Sequence, residues 1–144
     1  DHAPSVYQLG SFLEKEIFDC PNQFQDKLFA VFPNSKTPRT IEASRAFRAF
    51  LSRHDIAASS STALTTAYCA GQLLIESLQD AGRQPRREQL IHDLEGLYKH
   101  ETGLTPPLTF GPNRRIGAYG AYLVSIDLDT KAIVCKDRWI TPRE

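Results

Sequence analysis

An α/β or α+β chain is predicted by three features of the sequence. Short alternating runs of branched and aromatic residues lie near both ends, three stretches of helical apolar spacing lie between them, and Gly, Pro and Asn punctuate the changes. Val6 to Leu9 is an apolar run that breaks at Gly10-Ser11, which reads as a strand entering a loop. Lys27 to Phe32 alternates, is rich in aromatic and branched residues, and stops at Pro33, so it is a second strand. Pro33 to Pro38 is a polar loop, because each proline removes a donor and biases the residue before it away from helix.

From Ile41 to His54 the apolar residues Ala43, Ala46, Phe47, Phe50 and Leu51 share one helical face, and Arg45, Arg48 and Arg53 take the other. Ser59, Ser60, Ser61 and Thr62 then offer hydroxyl caps to a second helix. Its apolar stripe is Leu64, Ala67, Tyr68, Gly71, Leu74, Ile75 and Leu78, it ends at Gly82, and its small residues Ala67, Ala70 and Gly71 let another backbone come close. A third helix opens at Pro85, with Leu90, Ile91, Leu94 and Leu97 inward and Arg86, Arg87, Glu88 and Asp93 outside. Past Gly103 the period changes. Leu108 to Phe110 is a short strand, Gly111-Pro112-Asn113 a turn, and Tyr119 to Asp127 alternates Tyr122, Val124 and Ile126 against Ala121, Leu123 and Ser125. Asp129-Thr130 turns the chain into Ala132 to Cys135, and Trp139-Ile140 extends the pairing. Strands, three helices and a closing hairpin suit a compact sheet, and equally a piece of a two-lobed protein whose chain crosses between lobes.

The 144 residues make one structural unit, 1–144, long enough to bury roughly 70% of the unfolded chain's surface. Seventeen basic against seventeen acidic residues leave a net charge of zero, without the basic excess that nucleic acid or an anionic membrane requires. The apolar stretch from Ala67 to Ile75 falls far short of the ~20 residues of a membrane span. Cys20, Cys69 and Cys135 lie far apart, with no paired cysteines or histidines at zinc-ligand spacing, so the sequence calls for no metal and no other cofactor.

The nucleophile, phosphate and metal patterns each meet a plainer reading. Glu88 and His92 share a helical face but lack a third ligand, so a solvated pair explains them better than a metal. His54 and His100 read as helix-end residues favoured by the macrodipole. Ser59, Ser60 and Ser61 have no nucleophile elbow around them, and Gly111 to Gly117 has neither phosphate-loop spacing. Arg114 and Arg115 read as a basic turn rather than an anion clamp, because neighbours in extended chain point apart. No enzyme is predicted. Gly10, Ser11 and Phe12 matter more, since ligands of open α/β sheets bind outside the carboxyl ends of strands. A small residue, a hydroxyl and an aromatic ring suit a polar small molecule, and equally an ordinary strand-ending turn. Glu14 and Glu16 follow, placed to meet an ammonium group or to face solvent.

A family resemblance spans nearly the whole chain. Gly103 to Tyr122, with Thr109-Phe110-Gly111-Pro112-Asn113 at its centre, resembles the late segment of periplasmic substrate-binding proteins of ABC transporters, of the branched-chain amino-acid/amide type. Ala67 to Glu76 with Ala81-Gly82-Arg83, and Leu94-Glu95-Gly96-Leu97-Tyr98, are similar to that family's two late helices. Leu9-Gly10-Ser11, Phe18-Asp19 and Lys27 to Ala30 resemble the strand, loop and strand before them. The resemblance implies the C-terminal segments of a two-lobed type I periplasmic-binding fold, without the first-lobe loops that hold the ligand carboxylate. It implies a small amino-acid-like or amide solute, a membrane permease as partner, no nucleic acid, and the periplasm as location. Gly10, Ser11 and Phe12 would then face the interlobe cleft, with Glu14 or Glu16 toward the ligand ammonium. In that compartment the three cysteines pair or stay buried, and Cys69, within the apolar stripe, is expected to be reduced. A ligand-sensing domain of a regulator or receptor with the same fold is the alternative.

Overall fold

The computed structural model of the chain describes residues 3–34, 39–57 and 61–142. It is mixed α/β, in the order β1 (Val6–Leu9), three short 3-10 turns, β2 (Leu28–Phe32), α1 (Ile41–Arg53), α2 (Ser61–Asp80), α3 (Arg87–Glu95), β3 (Ala121–Asp127) and β4 (Ala132–Ile140). The contacts gather into two compact units. A sheet unit comprises Asp1–Asn34 and Gly120–Glu144, and a helical unit comprises Ser35–Tyr119. No described helix is long and apolar enough to cross a membrane.

In the sheet unit the four strands lie in sequence order, β1 parallel to β2 and the others antiparallel. Alternation puts Leu28, Ala30 and Phe32 of β2 on one face, and the register sets Ala30 opposite Val124 and Phe32 opposite Tyr122. These residues close a core with Ile126 and Leu128. The link between the parallel strands is not a helix. Its 3-10 turns lay Leu13, Ile17, Phe18 and Phe24 over the same face of the sheet, supplying the cover that a crossover helix usually gives. Gln25 ties this link to the hairpin, donating from Nε2 to Asp127 Oδ1 at 3.2 Å and accepting from the Leu128 amide at 2.9 Å.

The opposite face of that sheet is apolar too. Register places Tyr7 beside Phe29, Leu9 beside Val31, and Val31 beside Leu123, and the rings of Tyr7 and Phe29 stack at 5.0 Å. At the β1 edge of this face Tyr7 is 62% and Leu9 58% exposed, while Phe29, Val31 and Leu123 are half-buried.

In the helical unit Thr40 caps α1 by accepting from the Ala43 amide at 3.2 Å, and the amides of Arg39 and Thr40 donate to the Gly103 carbonyl. Gly103 has φ of 74°, and a Cβ there would fall 2.6 Å from both the Ala43 Cβ and the Thr40 Oγ1, so only glycine fits. The amphipathic pattern of α1 is present, yet none of its residues is buried. On α2 the buried residues are Cys69, Leu73 and Ser77, one face at i, i+4, i+8. This corrects the expected inward stripe, of which Leu74, Ile75 and Leu78 are exposed. The helix is apolar on most sides, so packing decides: Thr102 hydrogen-bonds the Cys69 thiol, and the turn carrying buried Leu104 and Thr105 follows it.

Other differences are local. Leu108 to Phe110 is not a strand; Leu108 makes one isolated bridge, to His100, while Phe110 donates its amide to the Leu97 carbonyl. α3 starts at Arg87 after an Arg86 cap position, later than its Pro85 signal. β4 runs unbroken to Ile140, with a bulge in the pairing at Leu123/Val124. Ser59 and Ser60, and the loop residues 35–38, lie outside the described residues.

Candidate functional site

The residues singled out at the end of the first strand are brought together by the fold. Gly10, Ser11 and Phe12 form a single 3-10 turn, closed by the Leu13 amide on the Gly10 carbonyl at 3.3 Å and by Gln8 Nε2 on the Phe12 carbonyl at 2.8 Å. Because β1 and β2 are parallel, with Leu9 opposite Val31, this turn stands beside the carboxyl end of β2. Glycine fits best at position 10, since a Cβ would fall 2.2 Å from the nearest atom of the Phe32 ring, itself buried at the end of β2. The ring fixes the backbone and leaves the next two side chains outward. Phe12 is 68% exposed and Ser11 is exposed.

Glu14 precedes the next 3-10 turn, Lys15–Asp19, and Glu16 lies in its first turn. Both are exposed, and neither carboxylate has a salt-bridge partner among the described residues. Asp19 instead takes the nearby ammonium, from Lys131 at 3.3 Å. The arrangement can therefore present one hydroxyl, one aromatic face and two unpaired carboxylates to a polar solute, and it contains no assembled nucleophile and base. Sequence reasoning missed Asn34. It is a buried polar residue two positions past β2, at the same carboxyl edge, where the sequence shows only a proline-flanked loop.

The remaining chemistry-bearing residues are scattered and make local contacts. His54 is the C-cap residue of α1, with its ring 4.7 Å from that of Phe50. His100, expected at a helix end, lies beyond α3 in the bridge to Leu108, its Nε2 3.4 Å from Glu76 Oε2. Glu88 and His92 do not pair; on that helix Gln89 reaches Asp93 at 2.8 Å instead. The two adjacent arginines diverge, Arg114 donating to the Ile116 and Gly117 carbonyls and Arg115 meeting Glu95 at 2.5 Å. Among the described residues no group of His, Cys, Asp and Glu is arranged to hold a metal ion. Cys20 and Cys69 are free thiols, and burial pushes the Cys69 thiol above its ordinary pKa, partly offset by the Thr102 hydrogen bond. That makes Cys69 a small apolar group rather than a nucleophile.

A further hollow lies elsewhere, in the helical unit. A half-open groove of about 730 Å³ runs between α1 and α2, walled by Phe47, Phe50 and Leu51 on one side and by Leu64, Tyr68 and Ile75 on the other. The rings of Phe47 and Phe50 each stand 5.1 Å from that of Tyr68. No family model, curated protein or solved structure matches this chain.

Proposed function

We propose that the chain is part of a hinged, two-lobed solute-binding protein, the substrate-binding component of an ABC transporter, which takes an amino-acid-like or amide solute. The observation that carries this reading is the double crossing. The chain builds the sheet unit up to Asn34, leaves it for the whole helical unit, and returns at Gly120 to complete the same sheet. A clamp whose two jaws share one polypeptide needs such crossings, because paired crossing segments act as the hinge. The exposed apolar side chains Tyr7 and Leu9 at the sheet edge agree, since they suit a further layer in a longer protein. The turn Gly10–Phe12 then serves as one wall of the cleft, with Ser11 donating to the solute and Phe12 shielding it from water.

On this reading the protein performs no bond chemistry. The solute shifts the population toward the closed form by binding that form better, and the membrane permease takes up the closed form. A chain that lacks the first-lobe loops holds only part of the cleft and binds poorly. Calorimetry of these 144 residues with leucine, valine or short aliphatic amides is expected to give no binding tighter than about millimolar, that is, about 4 kcal/mol. Micromolar binding by this chain would contradict the reading.

A further inference from the structure

We infer that the connection between α2 and α3 is a processing site, at which an endopeptidase that selects arginine cuts the chain once and leaves two fragments joined. Three observations lead there, and none depends on the solute proposed above. The first is the backbone. Gly82 to Gln89 are all exposed, and Gly82, with φ of 74°, turns the chain out of α2. The amides of Arg83, Gln84 and Arg86 donate no backbone hydrogen bond among the described residues, and Pro85 has no amide hydrogen to give. Arg86 is already extended, with φ of −106° and ψ of 147°, the conformation in which a cleft takes up a peptide. Drawing such a segment into a protease opens no buried contact, so it costs little.

The second is side-chain chemistry. Arg83, Arg86 and Arg87 are exposed and take part in no ion pair among the described residues. A guanidinium free to enter a deep pocket is what a carboxylate on the pocket floor selects. In hydrolysis of the Arg86–Arg87 bond, water adds to the Arg86 carbonyl carbon and the C–N bond breaks. Arg86 then ends in a carboxylate and Arg87 begins with an ammonium. That ammonium opposes the dipole at the start of α3, whose cap position makes no side-chain hydrogen bond, so the first turn of α3 loosens once cut.

The third is contrast. The other adjacent pair, Arg114 and Arg115, sits in a turn closed by mutual amide–carbonyl bonds between Gly111 and Arg114, with Arg115 held by Glu95. Arg39 donates its amide to the Gly103 carbonyl and pairs with Glu101 at 3.3 Å. Arg45, Arg48 and Arg53 lie within α1, whose end is closed by the amides of His54, Asp55 and Ile56 donating back into it. A cut at Arg86 also spares the contacts that join the two pieces. Residues 1–86 keep β2 paired with β3 of residues 87–144, and Cys69 keeps its hydrogen bond with Thr102.

Limited digestion of the 144-residue chain with an arginine-specific endopeptidase, read by intact-fragment mass spectrometry and native size exclusion, tests this. The first cleavage is expected after Arg83, Arg86 or Arg87, with both fragments co-eluting and separating only in denaturant. Replacing the three together, Arg83→Gln, Arg86→Gln and Arg87→Gln, is expected to slow that first cleavage at least about tenfold with Tm unchanged, since all three are exposed. A first cut after any other arginine from 39 to 138, or no cut within 83–88, overturns the inference. Fragments that part under native conditions, or a triple variant cut as fast as the parent, overturn it as well.

Discussion

In the sheet unit, β2 and β3 point Leu28, Ala30, Phe32, Val124 and Ile126 into one closed cluster, and the 3-10 segments bring Leu13, Ile17 and Phe18 down over it. In the helical unit, α1 carries an equally regular apolar face and buries no residue, and α2 buries Cys69, Leu73 and Ser77 while Leu74, Ile75 and Leu78 stay in solvent. The difference lies in the available layers. An amphipathic pattern states which side of an element wants cover, and burial follows only where another element of matching shape is present. The sheet unit owns the cover for one of its faces, whereas in the helical unit α2 is met by the turn at 102–106, by α3 and by the α1 rings on Tyr68, and Leu74, Ile75 and Leu78 stay exposed.

The comparison can be broken most sharply by truncating one isoleucine in each unit. Ile126→Ala removes the most enclosed large side chain of the sheet unit, 1% exposed, and is expected to cost about 3 to 4 kcal/mol. Ile75→Ala is expected to stay within about 0.5 kcal/mol, as exposed sites do. Urea denaturation followed by the fluorescence of Trp139, the only tryptophan, whose ring lies 5.0 Å from that of Tyr122, reads the first loss directly. Equal effects of the two substitutions would erase the distinction drawn between the units.

A smaller effect is expected from Gly10→Ala. The added methyl forces the Phe32 ring or the turn to move, at about 1 to 3 kcal/mol, and any loss should appear in the Trp139 transition. An unchanged midpoint would show that the turn does not depend on the close approach of glycine and ring.

The smallest effect is a pH dependence in the hairpin. The hydroxyl and amide of Thr130, then Gln25 and the Asp129 amide, hold the Asp127 carboxyl below its ordinary pKa. A carboxyl depressed in the folded state contributes stability that is complete above its unfolded pKa, near 4, and is lost as pH falls through the folded value. Denaturation midpoints of the parent should therefore fall below about pH 4 more steeply than those of Asp127→Asn. Parallel curves would remove Asp127 from the hairpin's stability.

How much of this was legible in the sequence follows from the same contrast. β1, α1 and the hairpin have near-correct bounds because their signals are local: Gly10 after Leu9, the helical spacing of Ala43, Ala46, Phe47, Phe50 and Leu51, and alternation around Asp129-Thr130. The buried side of α2 was not legible, because its apolar residues surround the helix and the choice falls to Thr102 and its turn, far along the chain. Leu108 to Phe110 looked like a strand through composition alone, and its backbone groups are taken by Leu97, His100 and Gly117 instead of a ladder. At the candidate site, Gly10, Ser11 and Phe12 were legible from a strand ending in a small flexible residue. Asn34 was not, because burial of a polar residue in a proline-flanked loop has no local sequence signal.

The account stands or falls on whether the turn after β1 touches a solute. The proposal places this chain within a longer two-lobed protein, and calorimetric titration of that protein with leucine, valine and short aliphatic amides tests it, comparing the parent with Phe12→Ala and Ser11→Ala. Micromolar binding of one of these solutes, weakened at least about tenfold by either substitution, is the predicted result, a change of about 1.4 kcal/mol or more. Binding that is indifferent to both substitutions would contradict the placement of the cleft at Gly10–Phe12.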